Sequence, residues 1–224
     1  MLSLFKGFRF RLALMCGAVA FFVSSLVKIS PIIGSHCSFF SLTDALMPLT
    51  GVVGIGLGIM AILMRTGLTF LKISLSIMAL VYHLPGFFAS VSWAYPNLIM
   101  KVGMPLLCMI LFIAHPQGFY AAPYALYWLI PIVIYFSRKE TIFLQSLSST
   151  FIAHAVGSVL WLYLKALPAA VWIGLIPVVI FERLLYAALM TIVYYGIKEG
   201  LGYSTKKTWF VKTCHTGQSW FLRK

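Results

Sequence analysis

The chain has 224 residues, of which 62% are hydrophobic and 9% charged, and its 17 Lys and Arg against 4 Asp and Glu give a net charge of +13. A soluble protein of this size has too little polar side chain to cover that much apolar surface, which excludes an ordinary soluble domain. The basic residues flank apolar runs instead of spreading over a face, so they read as topology signals and not as a nucleic-acid surface.

Apolar runs of about 17 to 25 residues can cross the hydrocarbon layer, where only helices and closed barrels satisfy their own backbone groups. The runs here are continuous, not alternating, which selects helices. In chain order, seven segments reach or approach that length: 12–33, 45–64, 68–93, 98–115, 119–136, 142–164 and 168–197. The expected fold class is all-α, a polytopic transmembrane helical bundle.

Lys6, Arg9 and Arg11 precede the first segment, and the small residues at Ala18–Ala20 look like a cleavage site. Because the run FFVSSLV continues directly beyond them, the first helix is expected to be retained. At the start of the second segment, Ser41, Thr43 and Asp44 are candidate helix caps, and Pro48 bends the first turns. Gly51, Gly54, Gly56 and Gly58 then permit close approach of another backbone. Asp44 is also a candidate ligand contact from an outer loop. In the third segment, His83 lies in YHLPG, where Pro85 predicts a kink. The HPQG stretch at His115–Gly118 divides the fourth segment from the fifth, and Pro105, Pro123 and Pro131 weaken both.

The sixth segment carries His154 near its middle, and the seventh carries Glu182 beside Arg183. Ionisable groups within a bilayer cost several kcal/mol on typical scales, so they face inward and find partners. With a turn near Lys165–Pro168, His154 lies roughly 18 Å and Glu182 roughly 24 Å from it at about 1.5 Å per residue. At similar depths the two can meet near the midplane, and the alternative is that Glu182 neutralises Arg183 or His154 simply to hold the bundle together. Arg183, about 100° around the helix, is left for another acidic group or for an anionic ligand.

Seven crossings from a cytoplasmic N-terminus would place the tail outside, although six Lys and Arg in it face only Glu199. About six net crossings keep both basic ends in the cytoplasm, so 45–64 or the stretch 98–136 is expected to be re-entrant, broken or part of one longer element. Residues 1–197 then form the transmembrane domain. Residues 198–224 form a basic cytoplasmic tail whose Trp209, Phe210, Trp220 and Phe221 suit the interface of an anionic leaflet. The four cysteines are dispersed, and no metal site or cofactor is expected. No HExxH, GxSxG or GxxxxGK[ST] is present, and the chain is not expected to be an enzyme.

Several of these stretches together resemble the substrate-binding S components of energy-coupling factor vitamin transporters. Ala13 and Gly17 on the first helix are similar to the family's small-xxx-small docking signature, with glycine in place of the second alanine. DALMPLTGVVGIGLG looks like its lid loop and glycine-rich second helix, AHAVGSVLWLYL like its penultimate helix, and IPVVIFERLLYAALMTIVYYGI like its last helix. The resemblance implies capture of a small, vitamin-like molecule at the plasma membrane. It further implies uptake driven by a separate transmembrane coupling protein, docked on Ala13 and Gly17, and by ATPase subunits. The expected ligand contacts are Asp44, His154, Trp161, Trp172, Glu182 and Arg183. Two other readings stay open: a self-sufficient channel or proton-coupled transporter relaying through His154 and Glu182, and an assembly protein in which these polar groups only hold helices together.

Overall fold

The structure is a computed structural model that describes residues 28–31, 39–41, 46–49, 77–137, 139 and 141–200. The chain divides into two compact units, Met1–Leu46 and Met47–Lys224. In the first, β1 (Lys28–Pro31) pairs antiparallel with β2 (Phe39–Ser41), with Lys28 opposite Ser41 and Pro31 opposite Phe39. This corrects the expectation that the first helix runs to residue 33. Pro31 disfavours the helical conformation of the residue before it, and β-branched Ile29 suits an extended chain. The candidate docking residues Ala13 and Gly17, the candidate ligand contact Asp44 and all of the tail 198–224 beyond residue 200 lie outside the described residues.

The regular elements described in the second unit are all helical, as expected of an all-α protein. A single 3-10 turn, Met47–Leu49, contains Pro48. Helix α1 (Ile77–Ala94) continues through Pro85 instead of ending there. A π turn, Ile99–Gly103, leads into α2 (Met104–Ala114). The next apolar stretch is broken into α3 (Pro116–Tyr120), α4 (Ala122–Ala125), a 3-10 turn (Leu126–Trp128) and α5 (Leu129–Ser137). Prolines at the start of α3 and within the first turn of α4 explain the restarts, since proline fits a first helical turn and interrupts an interior. Then come α6 (Ile142–Lys165) and α7 (Ala169–Gly200).

Helix α6 is the centre of the unit: α1, α2, α5 and α7 all pack on it. Gly157 faces α1, and a Cβ there would meet the Pro85 ring at 3.4 Å, an ordinary van der Waals contact. Ser146, Ser149 and Thr150 are buried on α6 and return their hydroxyls to carbonyls of Ile142, Ser146 and Leu147. That arrangement buries polar side chains without asking anything of neighbouring helices.

Two layers of contacts mark opposite ends of the bundle. At one end the Tyr163 hydroxyl donates to the Leu111 carbonyl, and the first amide of α7, Ala169 N, donates to Gln117 Oε1. His115 caps α3 there by accepting from Gln117 N. At the other end Gln145 donates to the carbonyls of Ser92 and Trp93, and the Trp93 and Tyr194 rings lie 6.4 Å apart. The stretch 99–137 therefore runs from one end to the other and back, as a hairpin with its turn at HPQG.

Exposure follows the reverse of a soluble pattern on α7. Its outer face carries Ile173, Val178, Phe181, Leu184, Leu185 and Ile192, all exposed, whereas Arg183 and Tyr186 are buried with Trp172, Val179, Ala187 and Met190. Helices α6 and α7 are each long and apolar enough to cross a membrane, and Ile99–Ala114 and Ala122–Ser137 are shorter apolar helical stretches.

Candidate functional site

The interior polar and aromatic groups gather where the broken stretch meets α6 and α7. Because α4 and the following 3-10 turn are short, Tyr124 and Trp128 both enter the core, with 1% and 0% of their surface exposed. Phe112 of α2 sits among them. Its ring centroid is 5.6 Å from Tyr124, 5.2 Å from Trp128 and 5.3 Å from Trp172, the latter two contacts edge to face. Tyr124 also lies 5.2 Å from Trp172 and 5.3 Å from the His154 ring. Edge-to-face contacts of this kind add roughly 0.5–1.5 kcal/mol each beyond the area they bury.

Polar atoms adjoin this aromatic cluster. The hydroxyls of Tyr124 and Ser158 are 3.2 Å apart, one helical turn from His154 on α6. Trp172 Nε1 donates to the Leu167 carbonyl, and the Tyr127 hydroxyl to that of Ile176, beside Pro177. Among the described residues, Trp128 Nε1, His154 Nε2 and Arg183 Nε are buried nitrogens with no hydrogen-bond partner. A buried unsatisfied donor costs about 1–3 kcal/mol, so a set of them in one neighbourhood marks a place that tolerates strain for a reason. Arg183 is buried on α7 between Val179 and Ala187, which belong to the same apolar core as Tyr124, Trp128 and Trp172.

Of the two arrangements the sequence allows, the structure shows the acid and base of α7 paired with each other. Arg183 Nη2 donates to Glu182 Oε2, and the Tyr186 hydroxyl donates to Glu182 Oε1 at 3.2 Å. Both carboxylate oxygens are thus engaged from within α7, and His154 Nε2 is not hydrogen-bonded to either. Tyr186 stands four residues after Glu182, where helical side chains meet, and the flexible arginine stem lets the guanidinium fold back on its neighbour. Arg183 also stacks over the Tyr186 ring at 4.6 Å.

Of the other expected contacts, Trp172 is buried in the aromatic cluster, and Trp161 is half-buried on α6 against the apolar core. The sequence reading passed over Tyr124, Trp128 and Ser158, which carry no motif. It also passed over Lys101, which is 3% exposed and donates from Nζ to Ser148 Oγ at 2.9 Å. A lysine within the apolar run 98–115 carries the same signal that drew attention to Glu182. It stands on the π turn, a distortion that recurs at functional positions. Comparisons with protein-family models, with characterised proteins and with solved structures return no significant match, so neither family nor activity is assigned by likeness.

Proposed function

We propose that the chain is a membrane-embedded capture subunit for a small solute, serving an importer of vitamin-like molecules energised by separate coupling and ATPase subunits. The observation that carries this reading is the buried cluster of Phe112, Tyr124, Trp128, His154 and Trp172, in a core that also holds hydrogen-bond-free nitrogens on Trp128, His154 and Arg183. A mostly apolar site with a few unmet polar groups is the usual make-up of a small-molecule site. Lipid location is supported by the uniformly apolar outer face of α7 and by the buried polar face opposite it.

The topology proposed with it has six net crossings in the plasma membrane. The stretches 77–94, 99–114, 116–137, 142–165 and 169–200 supply five passes, and the basic connection near Lys139 shares its end of the bundle with the end of α7. Under the positive-inside rule that end is cytoplasmic, so residues 1–76 contribute one net crossing. Docking to the coupling protein would use Ala13 and Gly17.

One observation favours a second reading, an assembly protein with structural polar pairs: Arg183 and Tyr186 of the same helix engage both Glu182 carboxylate oxygens. The test is thermal stability of the purified chain against a panel of vitamins, their precursors and metal ions, repeated with His154→Ala. A saturable rise in Tm that His154→Ala weakens supports capture. No ligand response from the wild-type chain, with the variant merely melting earlier, supports the structural role.

A further inference from the structure

Exposed side chains on the second unit are sorted by height along the bundle. Between its two ends, α2 exposes Leu106, Leu107, Ile110 and Leu111, α5 exposes Leu129 and Val133, and the outer face of α7 is apolar from Ile173 to Ile192. Among the described residues no polar or charged side chain is exposed at these levels. The exposed tyrosines of the described residues all stand at the ends. Tyr95 follows Trp93, whose carbonyl accepts from Gln145, and Tyr195 follows Tyr194, whose ring lies beside that of Trp93. At the opposite end the Tyr163 ring is 5.1 Å from His115, and Tyr120 closes α3. Each end also carries an exposed lysine, Lys139 between α5 and α6 at the first and Lys165 at the end of α6 at the second.

This gradation fits the layers of a bilayer. A tyrosine ring suits the level where hydrocarbon meets headgroup, because its body is apolar and its hydroxyl takes hydrogen bonds from water, and a lysine stem carries its charge out to the phosphates. From Gln145 to Tyr163 along α6 is about 27 Å at about 1.5 Å per residue, close to the roughly 30 Å of a hydrocarbon layer. A protein partner fits the band less well. Interfaces between proteins carry about one hydrogen bond per 100–200 Å², and the band offers no exposed polar side chain to make one.

We infer that the apolar band of α2, α5 and α7 is a lipid-binding surface, covered by acyl chains, with the headgroups of one leaflet at Tyr95 and Tyr195 and those of the other at Tyr120 and Tyr163. The HPQG turn and α3 then lie at a headgroup level, so the hairpin 99–137 crosses the layer twice and is not re-entrant. The inference rests on the membrane location proposed above and is independent of solute capture.

The experiment places a nitroxide label on Leu107→Cys, Phe181→Cys, Tyr120→Cys or Tyr163→Cys, in the full chain without its native cysteines, reconstituted into palmitoyl-oleoyl phosphatidylcholine vesicles. Collisions with oxygen, which concentrates in hydrocarbon, are compared with collisions with a water-soluble nickel chelate. The ratio of oxygen to nickel access is expected to be at least about tenfold higher at Leu107 and Phe181 than at Tyr120 and Tyr163, since a polar chelate is excluded from the hydrocarbon layer. Where a variant does not fold, Val133→Cys or Val178→Cys replaces it within the band and Tyr195→Cys at the rim. Nickel access within the band equal to that at the rim overturns the inference and the membrane location together. Low access of both reagents within the band means that protein, such as a second copy, covers it; this overturns the lipid surface and leaves capture standing. A hydrocarbon-like ratio at Tyr120 and Tyr163 overturns the assigned headgroup levels. The expected ratios, with no thermal response to any solute, support the lipid surface and count against capture alone.

Discussion

Arg183 donates to the carboxylate of Glu182, its neighbour in sequence, and the two side chains are only 8% and 16% exposed. Removing one member of such a pair strands the other charge in the interior, typically at about 3–5 kcal/mol, whereas replacing both by apolar groups is often neutral. Glu182→Gln is therefore expected to lower stability by about 3 kcal/mol, and the double variant Glu182→Leu with Arg183→Met to recover most of it. Denaturation of Glu182→Leu, Arg183→Met and the double variant as a cycle measures the coupling. Under the capture reading the recovered double variant has also lost its solute response.

Gly118 is buried where α3 turns back against the end of α2. A Cβ at this position would overlap the carbonyl group of Phe112 and press on Leu162 Cδ2 at 3.0 Å. The first obstacle is backbone, which has no rotamer by which to give way. Gly118→Ala is expected to cost about 3 kcal/mol or more and to sharply reduce folded yield on size exclusion.

Ala166 ends α6 in the left-handed region, with φ 46° and ψ 43°, and its N–H donates to the Leu162 carbonyl. Glycine adopts that conformation without the Cβ conflict, although it is more disordered in the unfolded chain. Ala166→Gly is expected to stabilise by about 0.5–1 kcal/mol and to raise Tm by roughly 1–4 °C. A lower Tm would show that contacts of the Ala166 methyl outweigh the backbone term.

The long helices were legible because an uninterrupted apolar run needs nothing beyond its own backbone to become a helix, and the turn at Lys165–Pro168 was marked by its proline. The division at HPQG was legible for the same reason. What the sequence did not disclose was the partner of each polar group. Depth arithmetic brought His154 and Glu182 to similar levels, but it carries no information on side-chain direction, and Tyr186 lay one turn along the same helix. Tyr124 and Trp128 were invisible as site residues because their inward position depends on two short helical turns, a feature of tertiary packing and not of local pattern. Lys101 was legible in principle, as a charge within an apolar run, and was overlooked beside the prolines that follow it.

The placement of the two bundle ends makes a topology prediction. Ser137 and Thr141 flank the basic connection at the end defined by Trp93, Gln145 and Tyr194, whereas Lys165 lies at the opposite end with Tyr163 and His115. If α6 spans the bilayer, these positions face opposite compartments, since its length of 24 residues corresponds to about 36 Å. The chain holds four native cysteines, Cys16, Cys37, Cys108 and Cys214, so the experiment requires a background in which they are replaced by serine or alanine. In that background, Lys165→Cys is expected to react with a membrane-impermeant maleimide added to intact cells. Ser137→Cys and Thr141→Cys are expected to react only after the membrane is opened. Labelling of all three from outside would contradict a spanning α6. Labelling of Ser137→Cys and Thr141→Cys alone from outside would invert the bundle, place the basic connection outside and remove the charge argument on which six net crossings rest.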